Sequence, residues 1–128
     1  MQFGTLIESL NAAGVKTRTS RGFWGGVTSD HKIVVTAWSD GPREDGGFII
    51  SRPRTNHGKL KEAWDSGRIQ PGATVRLIVI RQSGQVPWGR KGRIVKDAAL
   101  LPGQWRVVRV FDEGDMKRAI VKPEDVHR

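Results

Sequence analysis

A chain of 128 residues with 22 Lys/Arg against 13 Asp/Glu carries a formal net charge of +9 and has no cysteine. That length suits one domain with its own core. The missing thiols exclude disulfide staples, thiolate zinc sites and a cysteine nucleophile. The longest apolar run, Leu77 to Ile80, has the length of a strand and not of a membrane span. The opening MQFGTLIESLNAAG lacks the basic start and long apolar stretch of a signal peptide. A cytoplasmic protein that does not enter a membrane is the expectation.

The charge is uneven. Residues 46–111 hold thirteen Lys/Arg and three acids, a net +10, and the rest of the chain is nearly balanced. Trp38, Trp64, Trp88 and Trp105 lie in or just before that stretch. A concentrated positive field with aromatics inside it suits a polyanion whose bases can stack, so nucleic acid is the expected partner. No cofactor is implied.

In chain order, Thr5-Leu6-Ile7-Glu8 has capping-box spacing. Leu6, Ile7, Leu10 and Ala13 recur on one helical face and Gly14 supplies the stop, so residues 1–14 read as an N-terminal helix. Phe23–Thr28 and Lys32–Trp38 are rich in β-branched and aromatic residues around a Ser29-Asp30-His31 turn, which predicts a hairpin. A Gly-rich polar loop, 39–47, precedes a short strand, Phe48–Ser51. Lys59–Ser66 reads as a second helix with Leu60, Ala63 and Trp64 on one face, Thr55 or Asn56 as its cap and Gly67 as its stop. Thr74–Arg81 is the strongest strand; Gly92–Val95 and Gln104–Phe111 are further ones, separated by Leu100-Leu101-Pro102-Gly103. Residues 22–111 thus form a β-rich basic core, and 112–128 read as a tail with one apolar stretch, Ala119-Ile120-Val121. The expected class is α+β, a mainly antiparallel sheet curled into a small PUA-like or OB-like barrel with two short helices.

Phe48-Ile49-Ile50, Trp64, Gly67-Arg68-Ile69-Gln70-Pro71-Gly72, Val75–Ile80 and Gly92-Arg93-Ile94 occur in an order that resembles PUA-like barrels of the EVE and ASCH type. The resemblance covers about half the chain. It implies a base-sized pocket for RNA or for a modified DNA base, without assigning any pocket residue.

Two segments concentrate the chemistry. Arg52, Arg54, Asn56, His57 and Lys59 lie in a loop that leads into the second helix, where arginines can grip phosphate or read guanine in bidentate fashion. Trp88, Arg90, Lys91 and Arg93 form a second loop in which cations surround one indole and no acid interrupts. Stacking a base on such an indole contributes roughly 1–3 kcal/mol. Trp38 is a further stacking candidate, although Trp24, Trp38 and Trp105 fit core or rim packing and Trp64 fits core. Arg76 and Arg109 sit among apolar neighbours and either snorkel or line a charged face.

Catalysis finds little footing. His31, His57 and His127 lie far apart with no metal-ligand spacing, and Asp112-Glu113-Gly114-Asp115 reads as a solvated turn. The expected function is therefore non-catalytic binding of single-stranded or locally opened nucleic acid. Two alternatives stand beside it: a small metal-free, toxin-like nuclease using His57 with nearby Arg/Lys, and a basic module that occupies or inhibits an acidic protein groove.

Overall fold

The computed structural model describes residues 2–17, 24–44, 46–53 and 58–124. Among these, two helices and eight strands follow as α1 (Leu6–Ala12), β1 (Gly25–Val27), β2 (Ile33–Trp38), β3 (Arg43–Glu44), β4 (Gly47–Ser51), α2 (Lys59–Asp65), β5 (Thr74–Gln82), β6 (Val95–Leu100), β7 (Trp105–Glu113) and β8 (Met116–Pro123). The strands hydrogen-bond in the order β1-β2-β5-β7-β8-β4-β3, and β6 pairs with the C-terminal half of β5. Only β2 and β5 are parallel. The expected α+β class with a mainly antiparallel sheet and two short helices is what forms.

Both helices end as their sequences dictate. Thr5 Oγ1 accepts from Glu8 N at 3.0 Å while Glu8 Oε1 accepts from Thr5 N at 2.8 Å, which closes the capping box of α1. At its other end Gly14 N donates to Asn11 O and Val15 N to Leu10 O, the paired bonds of a Schellman stop. Gly67 and Arg68 repeat that pattern on Trp64 and Ala63 after α2. The start of α2 differs: Gly58 is its N-cap with no side-chain cap bond, and Thr55 and Asn56 lie outside the described residues.

The curled sheet has a core on each face. Inside the curl, Val35, Ala37, Phe48, Ile50, Leu77, Val79, Trp105, Val107 and Val121 pack with Leu60, Ala63 and Trp64 of α2. On the outer face, Leu6, Leu10, Ala13 and Val15 cover Val34, Ile78, Ile80 and Ala98. The central parallel pair is thus buried on both sides, which explains the unbroken apolar runs of β2 and β5. Each fully buried Leu or Ile there contributes about 1.5–3 kcal/mol.

Three expectations change. The sheet is not closed: the pairing path ends in β1, with three residues, and β3, with two, and such short edges carry too little ladder to join. The strand expected at Gly92–Val95 instead runs Val95–Leu100. Gly92 has φ +92, outside strand geometry, and Ile94 is exposed, whereas Ala98 and Ala99 are buried against α1 and β5. The segment read as a tail contains β8, which lies between β7 and β4 and buries Ala119, Ile120 and Val121. Gly114, with φ +63, turns the chain back from β7 and sets up that hairpin.

Candidate functional site

The gap in the sheet is a cleft. Pairing of β2 with β1 ends at Val35, and pairing of β4 with β3 ends at Phe48. Among the described residues, 36–38 and 49–51 therefore each pair with a strand on one side only. Their open edges meet across a cavity of about 270 Å³ bordered by Thr36, Ala37 and Trp38 on one side and Ile49 and Ser51 on the other. The loop 88–93 and the start of β8 complete the walls.

The lining has a distinctive chemistry. It contains the indoles of Trp24, Trp38 and Trp88 and the cations Arg52, Arg90, Lys91, Arg93 and Arg118, and no Asp, Glu or His among the described residues. Trp24 and Trp38 lean on each other with ring centroids 6.0 Å apart at 50°. Thr36 Oγ1 donates to Trp24 O at 2.9 Å and ties that indole's backbone to β2. Trp88 packs directly on Gly41, where a Cβ would lie 2.7 Å from its Nε1. The turn after β2 thus seats the loop that carries Trp88.

Three of the five cations are held by carboxylates set behind the walls. Arg93 makes a bidentate pair with Asp40, at 2.7 and 2.9 Å, and its side chain is only 4% exposed. Its guanidinium lies 4.9 Å from the Trp38 ring centroid, and its Nε is buried without a partner. Arg118 donates to Ser51 Oγ at 2.5 Å, lies 4.4 Å over the Trp88 ring, and has Nε 2.7 Å from Glu113 Oε1, a charge contact without hydrogen-bond alignment. Arg52 forks onto Asp65 at 2.8 and 3.3 Å, and Lys61 reaches the same carboxylate at 2.7 Å.

These bonds move the acids. The Arg52 hydrogen bond, then that of Lys61, holds the Asp65 carboxyl far below its usual range, and Asp65 in turn raises Arg52. The Arg93 hydrogen bond lowers Asp40 in the same way. Arg90 and Lys91 differ: both are exposed and neither has an ion pair among the described residues.

The start of the first loop singled out from sequence, 51–53, therefore meets the second, 88–93. Arg52, Trp88, Arg90, Lys91, Arg93 and Trp38 all border one cleft. Lys59 does not; it is exposed near Glu62, at 3.9 Å, beside a separate hollow with His31 and Arg68. Arg54, Asn56 and His57 lie outside the described residues. Trp64 and Trp105 are core, while Trp24 and Trp38 are half-buried at the cleft. Sequence reading missed Arg118. Its only sequence signal was its place two residues before Ile120, on the same face of a strand, and its hydroxyl partner Ser51 is 67 residues away.

Fold and site together define an open, mostly antiparallel α+β sheet with an aromatic, cationic cleft at its unpaired edges. No known protein family, curated protein or solved structure matches the chain. No helix among the described residues is long and apolar enough to cross a membrane.

Proposed function

We propose that this protein is a non-catalytic nucleic-acid-binding domain that takes one unpaired base into the cleft between β2 and β4. The observation that carries this reading is the composition of the described lining: three indoles and five cations, with no carboxylate among the described residues. Indoles stack any base, and cations hold the phosphates on either side of it. The cavity, about 270 Å³, lies just under the roughly 300 Å³ at which drug-sized sites begin, so it suits one base and not a base pair.

Unpaired ligands are favoured for a second reason. Both helices among the described residues have seven residues and bury their apolar faces on the sheet, so neither is free to enter a major groove. A base flipped from a duplex, native or modified, is the sharper form of the proposal and the one the PUA-like resemblance suggests.

The test is fluorescence anisotropy with single-stranded RNA, single-stranded DNA, and duplex DNA with and without modified cytosine, across a salt series. Binding should weaken with salt by a slope of roughly 0.7–0.9 per phosphate contacted and should fall at least tenfold in Trp88→Ala. No binding to any of these at about 50 mM salt overturns the proposal. Salt-sensitive capture of an acidic protein in its place would favour the protein-groove reading.

A further inference from the structure

The outer face of the sheet continues away from the cleft, and its side chains form a second pattern. The register pairs Phe111 of β7 with Arg118 of β8, and Arg106 with Lys122. Between these pairs the ladder shifts at Val107/Arg109. The shift decides which way Arg109 faces. Trp105 and Val107 point into the inner core, so strict alternation would send Arg109 inward as well. With one extra residue in the strand, Val110 packs inward opposite core residue Ala119, and Arg109 and Phe111 turn to the outer face.

A ladder of alternating cations and rings results. Trp88 is covered by Arg118, Arg118 pairs with Phe111, and Arg109 lies 4.8 Å over the Phe111 ring. Arg106 and Lys122 extend the same face, and Thr74 pairs with Arg106 to bring in Arg76 of β5, whose Nε is buried without a partner. Among the described residues, Glu113 lies at Arg118 and Glu124 at Arg106 on this face. From β4 to β5 the face spans three strand spacings, about 14 Å.

We infer that this face is a track for the sugar-phosphate backbone of a single strand whose base occupies the cleft, so that the protein binds several nucleotides and not one. The inference rests on the cleft reading above. Its partner is a polyanion with successive bases, because isolated phosphate uses only the cations and an apolar surface uses only the rings. Arg118 joins the two parts: it walls the cleft through Trp88 and Ser51 and begins the track through Phe111.

The experiment compares nucleoside 5′-monophosphates with mixed-sequence RNA and DNA octamers, followed by tryptophan quenching in the wild type and in an Arg106→Ser/Arg109→Ser/Lys122→Ser variant. None of these three residues borders the cleft. The octamer should bind the wild type at least about tenfold more tightly than any mononucleotide. In the variant that advantage should vanish and the salt slope fall by about 2, with mononucleotide binding unchanged. Lys122→Gln alone, which leaves the Phe111 stack and the Glu124 pair intact, should lower the slope by about 0.7–0.9 and serves if the triple variant does not fold. Octamer affinity and slope equal to wild type in a folded variant overturn the track and leave the cleft standing. An octamer no tighter than a mononucleotide does the same. Absence of binding by both overturns the cleft reading and the track with it.

Discussion

Two groups of cations border the cleft, and they differ in what holds them. Arg52, Arg93 and Arg118 are each fixed by a carboxylate from another element: Asp65 of α2, Asp40 after β2, and Glu113 of β7. Arg90 and Lys91, on the loop between β5 and β6, are exposed and without an ion pair among the described residues. Counting basic residues in the sequence treats the two groups alike. In the fold, the tethered arginines shape the walls and hold the indoles in place, and the untethered pair contributes uncompensated charge at the rim. A net +10 over residues 46–111 thus overstates the charge available to a ligand.

Substitutions can break that distinction. Arg118→Ala removes the Ser51 bond, the Glu113 contact and the cover over Trp88 together. It should lower stability by about 2 kcal/mol in urea unfolding and weaken nucleic-acid binding more than tenfold. Wild-type affinity in this variant would remove the tethered walls from the interface. Gly41→Ala places a Cβ 2.7 Å from Trp88 Nε1 and should displace the indole. We expect a several-fold loss of affinity with a stability change under about 1 kcal/mol, since Gly41 belongs to neither core.

Arg90→Ala/Lys91→Ala tests the other group. Stability should stay within about 0.5 kcal/mol of wild type, while the salt slope of binding falls by about 1.4–1.8. A large drop in melting temperature would show that these side chains are structural. Asp65→Asn sharpens the comparison by converting a tethered cation into a less compensated one. Affinity should rise about twofold at low salt while melting temperature falls slightly. A loss of affinity would mean that the orientation Asp65 imposes on Arg52 outweighs the charge.

The smallest expected effect is on acid stability. Asp65, Asp40 and Asp97 are all held below the ordinary value of 3.8, by Arg52 and Lys61, by Arg93, and by Arg81 respectively. A carboxylate lowered in the folded state adds stability that is present above its unfolded value and lost as pH falls through its folded one. Stability should therefore be flat from neutral pH to about 5 and decline below about 4, and Asp65→Asn should flatten the decline. An acid titration followed by tryptophan fluorescence decides this.

Some of this was readable from the chain. The capping box at Thr5–Glu8, the stops at Gly14 and Gly67 and the strand at 74–82 depend on neighbouring residues, and sequence order carries that information. The hairpin of β1 and β2 was legible for the same reason: Thr28 closes its turn by accepting from Lys32 N at 3.0 Å. β8 was not legible as a sheet strand. Its Ala119-Ile120-Val121 stretch is short, and the pairing that buries it joins β4, some seventy residues earlier. The shifted position of β6 was hidden too, because apolar Ile94 suggested a strand that the left-handed Gly92 does not allow.

At the cleft, residue types were visible and their arrangement was not. The chain alone determined that its cations cluster with tryptophans, that it has no thiol, and that two short helices accompany several strands, since composition and local periodicity suffice for these. Tertiary structure alone decided that the loops at 51–53 and 88–93 face each other, that Arg118 joins them, and that three of the five arginines and lysines are neutralised from behind. Those outcomes hang on the parallel pairing of β2 with β5 and on the early end of two edge ladders. Both are contacts between residues far apart in the chain, and their energy comes from burial in a shared core that no local stretch encodes.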